Sequence, residues 1–486
     1  MISLSTLSHN SFLKDSFVYS FGSFLTKAFG FFLIPIFTRY LSVSEYGALS
    51  LLMVILQIVT FIFLLGVSTA SMRKFFDPSA DDDYRRRLYG NSFLILTIFP
   101  FTLFILTVPL MYFLFVEILP SIPFFPFICV IFLIGVFKPV QNLMLGLLRV
   151  QKRAKLYVIF TTSFFLFQTI LVILAVVWKG YGLKGIIYAQ LVANIFYWVF
   201  SVIILKQYVI LKYYPKLAKK LLLFGIPLIP YFVFTWIHNA GGQYMLERYA
   251  SLEELGIFAL AAQFSAMLLF LSESLDNAIL PYFYETARHK TAAKELGSFF
   301  SQYFVFFGLL SLLTLILAQP LVLLVADPKF HSATMYIPLL IIVGWLNINY
   351  KIFYWSLLHS NQTTLISSLT GGQTVVLLGL MILFLKQWRL GITGLIYVLI
   401  LIGIFKILTG YFFSKKYFKI NFKYKELLFS SILLFISAYA INAISLDENI
   451  FVNLLFRLCL FAISAFFLVK IFNLVKLKSL ISLIRT

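Results

Sequence analysis

The side chains with chemistry to explain are lysines set among apolar residues. Lys27, Lys138 and Lys351 each fall inside a long apolar run, where a charge is costly unless it meets water or a counter-charge. Around Lys27, the residues Ser16, Ser20, Ser23 and Gly30 recur three and four positions apart, which gathers them on one helix face. Lys138, Gln141 and Asn142 form a second polar group, and Asn347, Tyr350, Lys351 and Tyr354 a third. Cations with amide and phenol neighbours can bind an anionic, polar ligand without any covalent step. For each lysine the alternatives are snorkelling to lipid headgroups or an ion pair within a helix bundle. Glu273 and Asp276, with Ser272 beside them, put two carboxylates on one face. They could answer the lysines, exchange a coupling cation or lie in the headgroup zone. His238, followed by Gly241 and Gly242, is a candidate proton site or a hydrogen-bonded histidine of the bundle. Lys406 and Arg457, on largely apolar faces, read as structural or interfacial.

The elements that must carry these groups are membrane helices. With 61% hydrophobic and 12% charged residues over 486 positions, the chain has more apolar surface than a soluble core can hide. Runs of about 20 apolar residues, enough to cross ~30 Å of hydrocarbon, recur along it. Fourteen such spans are expected, centred near Lys27, Leu56, Leu103, Phe132, Phe167, Ile195, Phe232, Met267, Leu312, Leu346, Thr374, Phe405, Phe435 and Phe461. Helices are required because lipid offers backbone groups no hydrogen bonds, and the continuous apolar runs lack the alternation of a barrel strand. Pro35, Pro109, Pro139, Pro227 and Pro230 mark expected kinks. The two cysteines, Cys129 and Cys459, fall in separate spans, where they are expected to be buried small residues rather than a disulfide or zinc site.

The chain repeats itself. TRYLSVSEYGALSL (Thr38 to Leu51) and ERYASLEELGIFAL (Glu247 to Leu260) share six of fourteen residues at a shift of 209. The same shift lays GLKGIIY (Gly182 to Tyr188) on GITGLIY (Gly391 to Tyr397). A duplicated unit follows. It carries span 1 onto span 7 and span 6 onto span 12, and it places Lys138 on Asn347 and Asn142 on Lys351. The expected architecture is therefore all-α and polytopic, with two pseudo-symmetric six-helix lobes (1–212 and 213–418) and two further helices with a tail (419–486). An even number of spans per lobe relates the lobes by an axis along the membrane normal. In both copies Ser42 with Glu45, and Ser251 with Glu254, have capping-box spacing. The repeated motif thus reads as a helix start, with a gate on the external side as the other reading.

Charge orients the chain. Twenty-seven of the 39 Lys and Arg residues fall in alternate loops and the termini, seven in the opposite loops and five inside spans, which predicts both termini on the cytoplasmic side. Met1 to Asp15 is too polar for a signal core, so the first span is expected to direct insertion. The net charge of +21 is spread over short loops with no soluble module, which argues against nucleic acid as a partner. No phosphate loop, HExxH, nucleophile elbow or cysteine–histidine cluster occurs in the sequence. Neither a cofactor nor covalent catalysis is expected.

The segment FGFFLIPIFTRYLSVSEYGALSL (Phe29 to Leu51), its counterpart after span 7 and the six-plus-six-plus-two plan resemble the polysaccharide-exporting Wzx flippases. These belong to the multidrug/oligosaccharidyl-lipid/polysaccharide exporter superfamily. The resemblance implies two lobes around a central cavity in the bacterial cytoplasmic (inner) membrane. It also implies an undecaprenyl-pyrophosphate-linked oligosaccharide as cargo, moved between leaflets for O-antigen, capsule or related polymers, alongside a polysaccharide polymerase and chain-length regulator. Lys27, Lys138 and Lys351, with Gln141, Asn142, Asn347 and Tyr350, are then the expected headgroup-binding set, and His238, Glu273 and Asp276 the candidates for ion coupling. A lipid II flippase, a multidrug exporter and a membrane-bound transferase remain as alternatives.

Overall fold

A computed structural model describes residues 31–422, apart from 32, 79, 288, 361 and 419, together with isolated positions between 431 and 466. Lys27, Arg457, both termini and most of the expected spans 1, 13 and 14 lie outside the described residues. Among the described residues every regular element is helical. The helices are α1 (Ile34–Tyr40), α2 (Val43–Leu64), α3 (Val67–Phe75), α4 (Asp82–Ile118), α5 (Cys129–Val150), α6 (Ala154–Ile173) and α7 (Gly182–Lys206). Then follow α8 (Pro215–Gly225), α9 (Ile229–Tyr249), α10 (Leu252–Thr286), α11 (Ala292–Val325), α12 (Ile337–His359), α13 (Thr363–Met381) and α14 (Gly391–Tyr417). Eleven segments among the described residues are long and apolar enough to cross a membrane. Each contains one of the expected centres from Leu56 to Phe405, so the chain is a multi-pass membrane protein.

The duplication is written into backbone geometry. Ser42 Oγ accepts from the Glu45 amide at 3.1 Å while the Glu45 carboxylate accepts from the Ser42 amide at 2.9 Å, closing the capping box that starts α2. Ser251 Oγ accepts from the Glu254 amide at 3.1 Å at the start of α10. Further along, the Tyr181 amide donates to the Ala175 carbonyl and the Leu390 amide to the Phe384 carbonyl, both at 3.1 Å. These are the same bond, 209 residues apart. It closes a turn that ends with Gly182 at φ 51° and Gly391 at φ 54°, a left-handed conformation that glycine adopts without a Cβ clash. Gly182 and Gly391, matched between the two halves, are therefore required by the turn that opens α7 and α14.

Packing divides the described residues at Gly256, so the first unit keeps α8, α9 and the first turn of α10. This grouping follows contacts. The chain after α7 is clamped onto α4: the Ile210 amide donates to the Arg86 carbonyl at 3.1 Å, and Asn91 bonds both the Lys212 carbonyl and the Tyr214 amide. α8 then buries Leu217, Ala218 and Leu221 and leaves Lys216, Lys219 and Lys220 exposed, which suits a membrane-surface helix. α5 lies at the centre of this unit, with Val140, Leu143, Met144 and Leu147 in a core shared with Leu88, Leu96, Tyr157 and Leu221. α4 and α6 turn Ile105, Leu106, Phe113, Ile159 and Ile170 outward, as lipid-facing helices do.

In the second unit α12 packs along α14 and against α11. Phe300, Tyr303, Phe307 and Trp355 form a run of edge-on and tilted rings in its core. Such pairs contribute roughly 0.5–1.5 kcal/mol each beyond burial. The loop after α14 repeats the clamp of the first unit, since the Asn421 amide donates to the Ala293 carbonyl at 3.0 Å.

Two expectations change here, one for Pro35 and one for the cysteines. Pro35 stands in the first turn of α1, where a missing amide is harmless; Pro227 lies in the 3₁₀ turn that interrupts the helical run between α8 and α9, Pro230 in the turn directly after it, and Pro109 and Pro139 are helix-interior. Neither cysteine is fully buried: Cys129 is half-buried and Cys459 exposed, and they are unbridged. A thiol is apolar enough to face lipid without a partner.

Candidate functional site

In the second unit, Lys351 is held by α10. Ser272 and Asp276 stand one turn apart on that helix, and Lys351 Nζ donates to Ser272 Oγ at 3.0 Å and to Asp276 Oδ2 at 2.7 Å. Tyr303 OH lies 3.3 Å from Ser272 Oγ and extends the group to α11. Asp276 therefore answers Lys351, one of the roles its spacing allowed, while Glu273 is exposed on the same helix. Asp276 Oδ1 is buried with no hydrogen-bond partner among the described residues. Asn347 Nδ2 bonds the Val343 carbonyl of its own helix at 3.0 Å. Tyr350 lies under Lys406, whose Nζ is 5.9 Å from the ring centroid. Lys406, half-buried on α14, thus stands against the polar face of α12 rather than on a purely apolar one.

In the first unit, Lys138 has a different environment. It is half-buried in the middle of α5, and among the described residues no carboxylate pairs with it. Under the 209 shift, Ser272 and Asp276 correspond to Phe63 and Val67, so the groups that hold Lys351 are apolar in the first copy. Asn142 is exposed one turn on and donates Nδ2–H to the Lys138 carbonyl at 3.0 Å. Gln141 faces the other way. It is buried and donates Nε2–H to the Asn194 carbonyl of α7 at 2.9 Å. The structure thus brings Lys138 and Asn142 together on one stripe and gives Gln141 to helix packing. His238 is half-buried on α9.

One residue escaped the sequence reading. Glu247 is 4% exposed, and neither carboxylate oxygen has a hydrogen-bond partner among the described residues. It lies on the face of α9 that carries Gln243, which accepts from Ser50 of α2 at 2.7 Å, and Trp236, which donates to the Val54 carbonyl at 2.9 Å. The available signal was the repeat itself, which sets Glu247 opposite the neutral Thr38.

Comparison with known proteins adds the following. Residues 12–287 match the family described as polysaccharide biosynthesis protein. "Lsg locus putative protein 1" of Haemophilus influenzae is 23% identical over 373 residues, spanning 75% of this chain and 88% of that protein. An "Uncharacterized membrane protein" of the same organism is 24% identical over 378 residues, spanning 76% and 89%. Among solved structures, the chain is similar to "Lipid II flippase MurJ, inward closed conformation", with a TM-score of 0.75 at 15% identity over 95% of this chain and 99% of that one. It is also similar to an inward-facing multidrug resistance MATE family transporter of the MOP superfamily, with a TM-score of 0.59 at 14% identity over 83% and 93%. With the helices and repeat described above, the chain belongs to the polysaccharide biosynthesis protein family and has the fold of MOP-superfamily transporters.

Proposed function

We propose that this protein is a flippase that moves undecaprenyl-pyrophosphate-linked oligosaccharide units across the bacterial cytoplasmic membrane for O-antigen, capsule or a related polymer. The observation that carries the reading is Lys138: a cation within a membrane helix, with no counter-charge among the described residues, beside an exposed amide on Asn142. A pyrophosphate bears about two negative charges and does not cross hydrocarbon unaided, so a cation held at membrane depth offsets its desolvation. In this mechanism Lys138, with Lys27 and Lys351, holds the headgroup, and Asn142, Asn347 and Tyr350 receive sugar hydroxyls. The polyprenyl tail stays in lipid, and two lobes expose the site alternately to either side, with both chain termini cytoplasmic. Lys351 differs from Lys138 in that Asp276 already neutralises it, so cargo binding there means sharing or displacing that carboxylate. His238, Glu273 and Asp276 remain the candidates for a coupling ion.

In a strain lacking the gene, lipid-linked oligosaccharide accumulates on the cytoplasmic leaflet and the plasmid-borne gene clears it. Wild-type surface polymer in that strain refutes the reading. A second reading, lipid II transport, is favoured by the likeness to MurJ over nearly the whole chain. Rescue of a strain depleted of its lipid II flippase would select it.

A further inference from the structure

In the first unit the seam between α6 and α7 holds an apolar groove with a cation at one end. The groove has a volume of ≈ 380 Å³ and runs from Phe196 on α7 to Gln207 and Tyr208 just past its end. That is about 18 Å of helix at roughly 1.5 Å per residue, close to the hydrocarbon depth of one leaflet, half of ~30 Å. Its walls are apolar and open to the surroundings: Leu156 and Ile159 on α6 are 47% and 62% exposed, and Phe196 and Phe200 on α7 are each 43% exposed. The rings hold one another in place, with centroids 5.0 Å apart for Phe160 and Tyr197 and 4.8 Å apart for Phe196 and Phe200.

The other end of the groove is charged. Arg153, the residue just before α6, lines it. The Arg153 guanidinium lies 5.2 Å from the Tyr208 ring centroid and donates Nη1–H to Tyr208 OH. This contact anchors the guanidinium at the groove's end and occupies one of its five N–H donors. Lys152, Lys155 and Lys206 are exposed in the adjoining turns. No Asp or Glu occurs in the sequence between Glu117 and Glu247, so α5, α6, α7 and α8 supply these cations with no counter-charge. Asp82 and Asp83 of α4 are already paired with Arg85 and Arg87 of their own helix. The repeat does not impose this arrangement. Under the 209 shift Arg153 stands opposite Gln362, Phe160 opposite Leu369, Tyr197 opposite Lys406 and Phe200 opposite Thr409. In the second copy the seam between α13 and α14 is tied instead by Gln373, whose Nε2–H donates to Thr409 Oγ1 at 2.9 Å.

We propose that the α6–α7 groove is a binding site for an anionic phospholipid of the phosphatidylglycerol type, with one acyl chain against Leu156, Ile159 and Phe200 and the phosphodiester on Arg153. The occupant is a resident lipid of the bilayer rather than the cargo, so the site stands whichever lipid-linked unit the protein moves. Charge complementarity selects it. Phosphatidylglycerol brings a net negative charge to a carboxylate-free cluster of cations, whereas phosphatidylethanolamine offsets its phosphate with its own ammonium. The guanidinium forks two phosphate oxygens, Lys152 and Lys155 add attraction near the surface, and Tyr208 positions the fork. The charge pattern that predicts the loop before α6 to be cytoplasmic puts this lipid in the cytoplasmic leaflet.

The test places the full-length protein in phosphatidylethanolamine nanodiscs doped with phosphatidylglycerol that carries a photoreactive group on one acyl chain, and maps the labelled residues. Labelling is expected on the groove-lining residues of α6 and α7, and phosphatidylethanolamine with the same photoreactive chain labels them about fivefold to tenfold less. Arg153→Gln lowers phosphatidylglycerol labelling by about the same factor at an unchanged melting temperature, as loss of one surface cation and its hydrogen bonds requires. Arg153→Lys keeps most of the labelling, and Tyr208→Phe gives an intermediate loss because the fork is no longer anchored. Ser163→Phe, which adds a ring to the groove wall, lowers labelling with Arg153 still in place. Equal labelling by the two lipids, or by wild type and Arg153→Gln, overturns the site and leaves ordinary boundary lipid. Loss of the label to undecaprenyl phosphate but not to unlabelled phosphatidylglycerol also overturns it, since the groove then serves the cargo's chain.

Discussion

Gly47 and Gly256, 209 residues apart in the sequence, pack against each other. A methyl group on Gly47 would strike the Leu252 carbonyl, and one on Gly256 would strike the Val43 carbonyl. Val43 and Leu252 are themselves a repeat pair, so the contact is reciprocal: each glycine receives the first carbonyl of the other's helix. The repeated motif therefore starts two helices and also fits their first turns together, within the unit that ends at Gly256.

Gly47→Ala and Gly256→Ala are each expected to destabilise the protein by roughly 1–3 kcal/mol, because backbone rather than a flexible side chain occupies the space. The check is the melting temperature in detergent or nanodiscs. Alanine at either position with an unchanged midpoint would mean the turns are not in contact.

The Lys351–Asp276 pair predicts non-additivity. Its side chains are 23% and 25% exposed, so removing one partner leaves a partly buried charge, at about 1–3 kcal/mol. Lys351→Met and Asp276→Asn each lower the melting temperature, and the double variant recovers part of the loss. Strictly additive shifts would show that the pair does not form in the membrane.

Lys138→Met should weaken cargo binding by about tenfold or more, the equivalent of ~1.4 kcal/mol, with little effect on stability because no carboxylate loses its partner. Lys138→Arg should retain most of the affinity. Equal transport by wild type and Lys138→Met would remove this lysine from the binding site.

Glu247 predicts an effect of opposite sign. A buried carboxylate without hydrogen bonds is costly, and an apolar residue of similar volume at such a site stabilises by roughly 1–3 kcal/mol. Glu247→Met is therefore expected to raise the melting temperature, and a marked fall would reveal a partner for the carboxylate in the membrane-embedded protein.

What could be read from the sequence was what depends on pattern alone. The eleven spans from Leu56 to Phe405 follow from apolar run length, and the helix starts at Ser42 and Ser251 from cap spacing. Asp276 was a legible counter-charge for Lys351 because both sit in apolar runs and each needs a partner. Gln141 was not legible: three residues on from Lys138, it turns to Asn194, a contact fixed by how α5 packs on α7. The break at Leu65 and Gly66 is a difference between copies rather than a shared motif, so matching identities passed over it. Glu247 is likewise a difference between the copies, standing opposite Thr38 beside the shared Arg248 and Tyr249.

The central claim is transport of a lipid-linked, pyrophosphate-bearing oligosaccharide, and its most direct test is a leaflet-accessibility assay in vesicles. Purified protein is reconstituted with undecaprenyl-pyrophosphate-linked oligosaccharide carrying a fluorophore on the sugar, and a membrane-impermeant quencher is added outside. The account predicts that quenching proceeds beyond the outer-leaflet pool in vesicles with wild-type protein, and more slowly with Lys138→Met. Quenching that stops at the outer-leaflet pool, in vesicles whose protein is folded and inserted, would contradict it.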